Sequence, residues 1–573
     1  MANLPVRNLG GVGVVTDVNP YDLPSNAFSD ARNVLFDDGR ISRAPVFKQL
    51  FPTPTSQLTF TAITTTFATE TNTFENAQGD PVVDIRFVAS FSDPSDGEVA
   101  LIADKTGEVR AYPGGDLEFV TPVTGTLITN EEPWTHAQVA GISFLSRAGM
   151  IPYGRKINSD TEYKYLSTPA GSDWSANDTC AVVRSYLDYA IALNVTKNTT
   201  EYPTMVKWSG PIAVGTTVGG VIWDPADTTS SAGENILGEL RNPILDGLAL
   251  GSQFIIYSEN QVYLMEYTGS SLVFNFRRLF PTGGIINTNC VAEVEGKHYV
   301  FGSDDIYVHD GISRKSIADG RVRKRIFGNI LRDDSKKCFV LHDSATSLLY
   351  FGYKSYESTL AFTNTQFCNK AAVYNYANDT WTFMDLPNIV GGTEITYDLS
   401  SKGYPATTNS YQSYNTDYSS FSSDTAKIPV MVGVTDTANG LTESRTYAAD
   451  LPTIGKIPIT PEPETVKEAY VERIGIDLDD SGLPLRSYKT ILSFTPQAEF
   501  EASEGVLTLK IGATDKASTP VTWYTEYDFR PSETERIDTR ASGKYLAYRL
   551  SMNEIEDFKF SGFDAEVVST SKR

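Results

Sequence analysis

Four histidines, the adjacent aspartates Asp304 and Asp305 and a glycine-rich opening could carry chemistry in this chain, and none of them is spaced for it. His136, His298, His309 and His342 have no metal-ligand spacing, although His298 and His309 fall on adjacent predicted strands where a shared ligand is conceivable. Gly11 and Gly13 begin a dinucleotide-like pattern, but Thr16 takes the third glycine position and no helix pattern follows. The run from Asp477 to Gly482 opens like a calcium loop, yet Tyr488 stands where the bidentate glutamate belongs. Asp304 and Asp305 could imitate half of a glycosidase carboxylate pair, but among 71 acidic residues a pair picked from sequence decides nothing. Cys180, Cys290, Cys338 and Cys368 lie far apart, so buried reduced thiols are the reading. No catalytic residue, metal or cofactor is expected.

Charge narrows the partners. The chain has 573 residues, with 48 Lys and Arg against 71 Asp and Glu, a net charge of -23. So acidic a surface repels phosphate and argues against a protein that grips DNA, but not against a channel through which DNA slides. One basic run interrupts it: Arg314, Lys315, Arg321, Arg323, Lys324 and Arg325. It reads either as a solvated strand-to-helix connection or as a contact to an acidic neighbouring subunit or to passing phosphate. The N-terminus has no apolar stretch able to act as a secretory signal, and no run of about 18 apolar residues offers a membrane anchor. A soluble protein made in a reducing cytoplasm is expected.

The elements that would position any site are short strands. Residues 251–258, a turn at Glu259-Asn260, and residues 261–267 form one expected hairpin. Residues 290–294, a turn at Glu295-Gly296, residues 297–302, and residues 306–309 with a turn at Asp310-Gly311 form the next unit. Such turns need positive φ at their centres, which Gly supplies at no steric cost. The theme returns at 338–342 with 348–352 and at 372–376 with 381–384. Four-strand units recurring roughly every 40 to 50 residues predict an all-β chain built on a β-propeller of six or seven blades.

Around that body the composition changes. Residues 1–50 are rich in turn formers and predict an extended arm ending in one hairpin, 33–36 returning through 40–47. It has too few apolar residues to fold alone, so Phe28, Leu35, Phe36 and Phe47 are expected to anchor it on another domain or subunit. Residues 51–450 make the propeller. Within it, 397–427 place Tyr404, Tyr411, Tyr414, Tyr418 and Phe421 among Ser, Thr, Asn and Asp, which predicts a long loop and a candidate contact or gate. A Pro-rich linker, 451–465, leads to a sandwich-like β-domain at 466–573.

The order of motifs from Gly247 to Phe327 is specific. It runs Phe254-Ile255-Ile256-Tyr257-Ser258, Gln261 to Gly269, Gly283-Gly284-Ile285, Tyr299 to Gly311, Ile317, and the basic stretch ending Arg325-Ile326-Phe327. It resembles the tail nozzle, or tail accessory hub, proteins of short-tailed bacteriophages. The opening Thr16 to Pro24 with Asn33, Phe36, Asp38-Gly39-Arg40 and Arg43, and the ending Tyr545 to Leu550 with Phe558 to Phe563, are similar to the same family. The resemblance implies a homohexameric ring in the virion tail, beneath the portal and its head-to-tail adaptor. That ring extends the DNA channel, touches packaged double-stranded DNA transiently, carries tail fibres or spikes and can meet a tail needle. The arm and the C-terminal domain would form its platform, and deleting residues 2–32 should leave a folded propeller that no longer joins tails. A receptor-binding tail fibre or adhesin, and a propeller glycosidase, are the alternative readings.

Overall fold

The computed structural model describes residues 2–51, 84–356, 366–398, 425–450, 468–477 and 487–570, apart from short breaks at 96, 114–116, 123–126, 271, 331, 437–441, 501–504, 517–519, 532 and 554–557. These residues form an all-β chain with one short α-helix, Arg323–Asn329.

Five four-stranded antiparallel sheets follow one another, each a simple meander in chain order. The first contains Ile85–Asp93, Gly97–Asp104, Val109–Tyr112 and Glu118–Phe119; the second Thr135–Val139, Ile142–Ser146, Tyr153–Lys156 and Lys164–Tyr165. The third contains Thr179–Tyr186, Tyr189–Lys197, Thr200–Trp208 and Gly233–Ile236. The fourth contains Ile244–Leu250, Gln253–Ser258, Val262–Tyr267 and Phe274–Phe280; the fifth Val291–Val294, Lys297–Phe301, Ile306–His309 and Arg314–Ser316. Positive φ is found at Glu295 (51°), Gly296 (72°) and Gly311 (83°), but not at Asp310 or at the Glu259-Asn260 turn.

A sixth, larger sheet runs through Phe339–Asp343, Leu348–Tyr353, Cys368–Asn375, Thr380–Asp398, Thr425–Asp436 and Thr442–Asp450, and ends on Val46–Gln49 from the arm. Residues 397, 398 and 425–427, expected in the Tyr-rich loop, therefore lie in strands. Tyr397 and Asp398 pair with Ala426 and Thr425, while Tyr404, Tyr411, Tyr414, Tyr418 and Phe421 lie outside the described residues. The Pro-rich linker 451–465 lies outside them too.

Apolar clusters join neighbouring sheets in the order of the chain. Leu101 and Val109 pack with Trp134 and Tyr153, Phe144 with Val183 and Ala192, and Tyr186 and Leu193 with Phe254 and Met265. Another cluster joins Ile85, Val88 and Ile102 of the first sheet to Ile395, Val430 and Val432 of the sixth. Tyr257 of the fourth sheet lies against His298 and His309 of the fifth, and Phe301 of the fifth edge-on to Phe351 of the sixth, so each sheet buries its apolar face against the next.

Two further antiparallel sheets occupy the C-terminal region. One orders Ile537–Gly543, Tyr488–Phe500, Phe558–Thr570 and the arm hairpin Arg40–Arg43 with Val34–Asp37; the other orders Thr522–Phe529, Leu507–Thr514, Tyr545–Met552, Ala469–Ile476 and the arm strand Asp30–Arg32. Strict alternation of buried and half-buried residues along Ala469–Ile476 is what a strand with one buried face must show. Phe494, Phe563 and Val567 of one sheet and Val471, Leu509 and Leu550 of the other share one core.

The arm is woven into the chain instead of extending from it. Ala2–Arg7 pairs with the Phe558–Thr570 strand, and Gly13–Val14 lies parallel to Ala27–Phe28 and to Trp381. Gly13 is required there. Its φ is +77°, and a β-carbon would sit 2.9 Å from the backbone N and O of Trp381. Gly13→Ala should therefore lower stability by about 1–3 kcal/mol, visible as a lower melting temperature. An unchanged melting temperature would mean that this contact does not hold the arm.

Candidate functional site

The basic run forms a junction with the arm. The chain leaves the fifth sheet at Ser316 and turns into the Arg323–Asn329 helix. The backbone N–H groups of Thr16 and Asp17 donate to the carbonyl of Arg321 at 2.7 and 2.9 Å. In return the Asp17 carboxylate accepts the Lys324 N–H at 3.1 Å, placing an anion on the exposed donors of the first helical turn. Arg325 pairs with Asp30 at 2.6 Å and lies 4.4 Å over the Phe383 ring. Arg321 pairs with Asp379 at 2.9 Å, and Arg323 with Asp319 at 3.4 Å and Asp304 at 3.7 Å. The Lys324 side chain is exposed. Three of the four candidate contact residues are thus engaged with acids of the same chain, which accounts for basic residues in so acidic a protein.

Arg325→Glu tests that account. It would set a third carboxylate beside Asp30 and Glu472, whose own carboxyl burial already pushes above its ordinary range. A loss of about 1–3 kcal/mol in urea unfolding is expected. An unchanged midpoint would show that the pair does not fasten the arm.

The proposed anchors are buried within the chain. Phe28 and Phe36 stack at 5.4 Å in the core that contains Tyr548 and Phe563, while Leu35 and Phe47 pack with Tyr350, Met384 and Tyr447 beside the sixth sheet. A buried polar knot, missed in the sequence, adds to them. Arg32 donates to both oxygens of Asp385, the Asn33 amide donates to Asp385 at 2.9 Å, and the Asp385 N–H donates to the Asn33 side-chain oxygen at 2.9 Å. Nothing in the spacing of residues so far apart could have announced it.

The histidine reading is sharpened. His298 and His309 are direct cross-strand partners, and the Tyr257 hydroxyl lies 2.7 Å from each of them. The Nε2 of His298 faces the Ala249 carbonyl at 2.9 Å, and the Nδ1 of His309 accepts the Gly311 N–H. One proton order satisfies every group: Gly311 N–H to His309, His309 Nε2–H to Tyr257, Tyr257 O–H to His298, His298 Nε2–H to Ala249. Both rings are then neutral. Burial lowers His298 to about 4 and His309 to about 3.

Asp304 and Asp305 do not form a facing acid pair. Asp304 is exposed beside Arg323, while Asp305 is buried, accepts from the Ser316 hydroxyl at 2.8 Å and is raised by burial. All four cysteines are buried free thiols. Among the described residues no three His, Cys, Asp or Glu gather around a common metal position, and no helix is long and apolar enough to cross a membrane. Of the calcium-like loop, Leu478 to Gly482 lie outside the described residues.

One concavity is shared by the sheets. The first strands of all six bound a cavity of about 520 Å³, rimmed by segments 131–134, 287–289 and 333–338 that lead into three of them.

No known family model matches the chain, and no curated protein matches it in sequence. A solved structure of a functionally unknown protein from Desulfotomaculum acetoxidans is similar over 54% of this chain and 87% of its own, at 10% identity and a TM-score of 0.31. Likeness that slight carries no argument about fold or function.

Proposed function

We propose that the chain is a structural subunit of a tail nozzle ring of a short-tailed bacteriophage, without enzymatic activity. The observation that carries the reading is the fate of Gly247–Phe327. The segment whose motif order resembles nozzle proteins folds as the fourth and fifth sheets and the helix that receives the arm. We read the six sheets as the blades of a six-bladed propeller. The clusters linking each sheet to the next, and the sixth to the first, support a closed arrangement that leaves few strand edges free. The two C-terminal sheets, completed by the arm, are the proposed platform toward an adaptor and neighbouring subunits.

Charge supports the same reading. A ring of subunits each carrying -23 presents DNA with a wall that releases few counterions, so a passing duplex would not adhere. The Tyr-rich residues 404–421 remain the proposed contact with a distal tail component or with the DNA, and fibres or spikes the proposed cargo of the flank.

The test is oligomeric mass. Native mass spectrometry of the purified chain should give six copies, and images of intact particles should place the ring in the tail. Three copies would instead favour the fibre reading. Turnover of host envelope polysaccharide, lost on replacing particular carboxylates, would overturn the structural role in favour of a glycosidase.

A further inference from the structure

We propose that the outer strand of the fourth sheet, Phe274–Phe280, is a docking edge that takes an extended, acidic segment of another protein as a fifth strand. The inference rests on this strand and its immediate surroundings and is independent of the tail reading.

Length sets the strand apart. The last strands of the other four-stranded sheets have two, two, four and three residues: Glu118–Phe119, Lys164–Tyr165, Gly233–Ile236 and Arg314–Ser316. So short an outer strand offers little template for further pairing, which is one way sheets keep their edges closed. Phe274–Phe280 has seven residues, contains no proline and pairs only with Val262–Tyr267.

Its outward backbone groups have no partner among the described residues. The Thr268 N–H donates to the Val273 carbonyl at 3.0 Å, which fixes the alternation of the ladder. Asn275 and Arg277 turn their backbone groups in toward Val262–Tyr267, while Phe274, Phe276 and Arg278 turn theirs out. The strand is also held in place, with Phe274 edge-on to Trp208 at 5.2 Å and Phe280 edge-on to His309 at 5.3 Å. A template already ordered gives up little freedom when a further strand is added.

Charge selects the occupant. Arg277 and Arg278 are both exposed, and neither forms an ion pair, in a chain of net charge -23. The acids around them do not neutralise them: Glu266 accepts from the Asn275 amide at 3.1 Å, and Glu239 lies beside Tyr263 without pairing with Arg278. Neighbouring residues of a strand face opposite ways, so a partner strand with two adjacent acids sets one carboxylate against an arginine on each face. A second copy of the same strand fits poorly. Centred antiparallel pairing would place Arg277 directly opposite Arg277, and like charges there repel. The turn into the strand adds apolar contact for the same segment, since Leu272 is 74% exposed and Tyr267 half exposed.

Fluorescence anisotropy of a labelled, end-capped peptide TVTEETVT against the full chain tests the docking. Saturable binding is expected. Arg277→Glu and Arg278→Glu together, on side chains in solvent, should weaken it about tenfold or more, and the peptide TVTKKTVT should bind that double variant better than it binds the wild type. The acidic peptide N-methylated at the residues facing the strand keeps its charge but cannot donate to the edge, and it too should bind about tenfold more weakly. No saturation up to about 1 mM, equal affinity in the double variant, or equal affinity of the N-methylated peptide would each overturn the proposal. So would a fall in the oligomeric mass of the double variant without peptide, which would give the edge to a second copy of this chain.

Discussion

Deleting residues 2–32 should unfold the C-terminal sheets while leaving the first five sheets intact. The deletion strips Ala2–Arg7 from the Phe558–Thr570 strand and Asp30–Arg32 from Ala469–Ile476, baring an edge on each sheet. It removes Val6, Leu9, Phe28 and Ala31 from the core, where Phe28 meets Tyr548 edge-on at 6.4 Å. It also leaves Asp385 buried without Arg32, and Arg473 buried without the Pro20 and Leu23 carbonyls it donates to. Breaking one buried ion pair costs about 3–5 kcal/mol, and a whole domain is stable by only about 5–15 kcal/mol. None of the first five sheets pairs with residues 2–32. Limited proteolysis read by mass spectrometry should therefore find new cuts within 468–570 and continued protection of 85–316. Protection of 468–570 in the truncated chain would show that the arm strands merely decorate the sheets. The sequence led to a gentler expectation, a removable arm, because its few apolar residues said that it needs a partner but not that the partner needs it.

That asymmetry marks what was legible. Gln253–Ser258 and Lys297–Phe301 could be read because a short run of β-branched and aromatic residues, buried almost throughout, and a Gly-containing or Asn-containing turn are local signals. Thr380–Asp398 was read only to Met384. It continues past Pro387 and Gly391-Gly392 by bulging between Ile389 and Gly391, and proline and glycine are ordinarily stop signals. Tyr488–Phe500 was missed for the same reason: Pro496 lies within it, beside a register shift at Gln497 and Ala498. The junction of Asp17 and Asp30 with the basic run spans about 300 residues of chain, and no local pattern encodes such a pairing. The cavity is equally silent in sequence, because one or a few residues from each of six strands leave no motif. His298 and His309 were visible as neighbours, but Tyr257, which joins them across to another sheet, was not.

Because of that joint, the folded chain should lose stability as the pH falls below about 6.5. In the unfolded chain His298 and His309 take up protons near the ordinary 6.5; in the folded chain burial holds them neutral until about 4 and about 3. Their contribution is thus complete above 6.5 and is lost as the pH falls toward those lower values, since the unfolded state binds more protons there. At pH 5 a ring that ordinarily titrates at 6.5 represents about 2 kcal/mol, so the coupled pair is worth about 2–4 kcal/mol. The groups around them set the sign firmly. Asp246, Glu293 and Asp310 favour protonation and Arg314 opposes it, yet burial outweighs all of these. His136 adds in the same direction, lowered to about 3 by burial and then by Arg184, and burial also lowers His342. Asp84, Asp305 and Asp343, raised by burial, act oppositely, so the joint must be isolated by substitution. Urea midpoints at pH 7.5 and pH 5 should differ less in His309→Gln than in the wild type, because the amide can still donate to Tyr257 and no longer titrates. Tyr257→Phe should lose about 1–3 kcal/mol even at neutral pH, since it leaves His298 Nδ1 and His309 Nε2–H buried without partners. If His309→Gln kept the full wild-type difference between the two pH values, the acid sensitivity would have to come from the carboxylates and not from this pair.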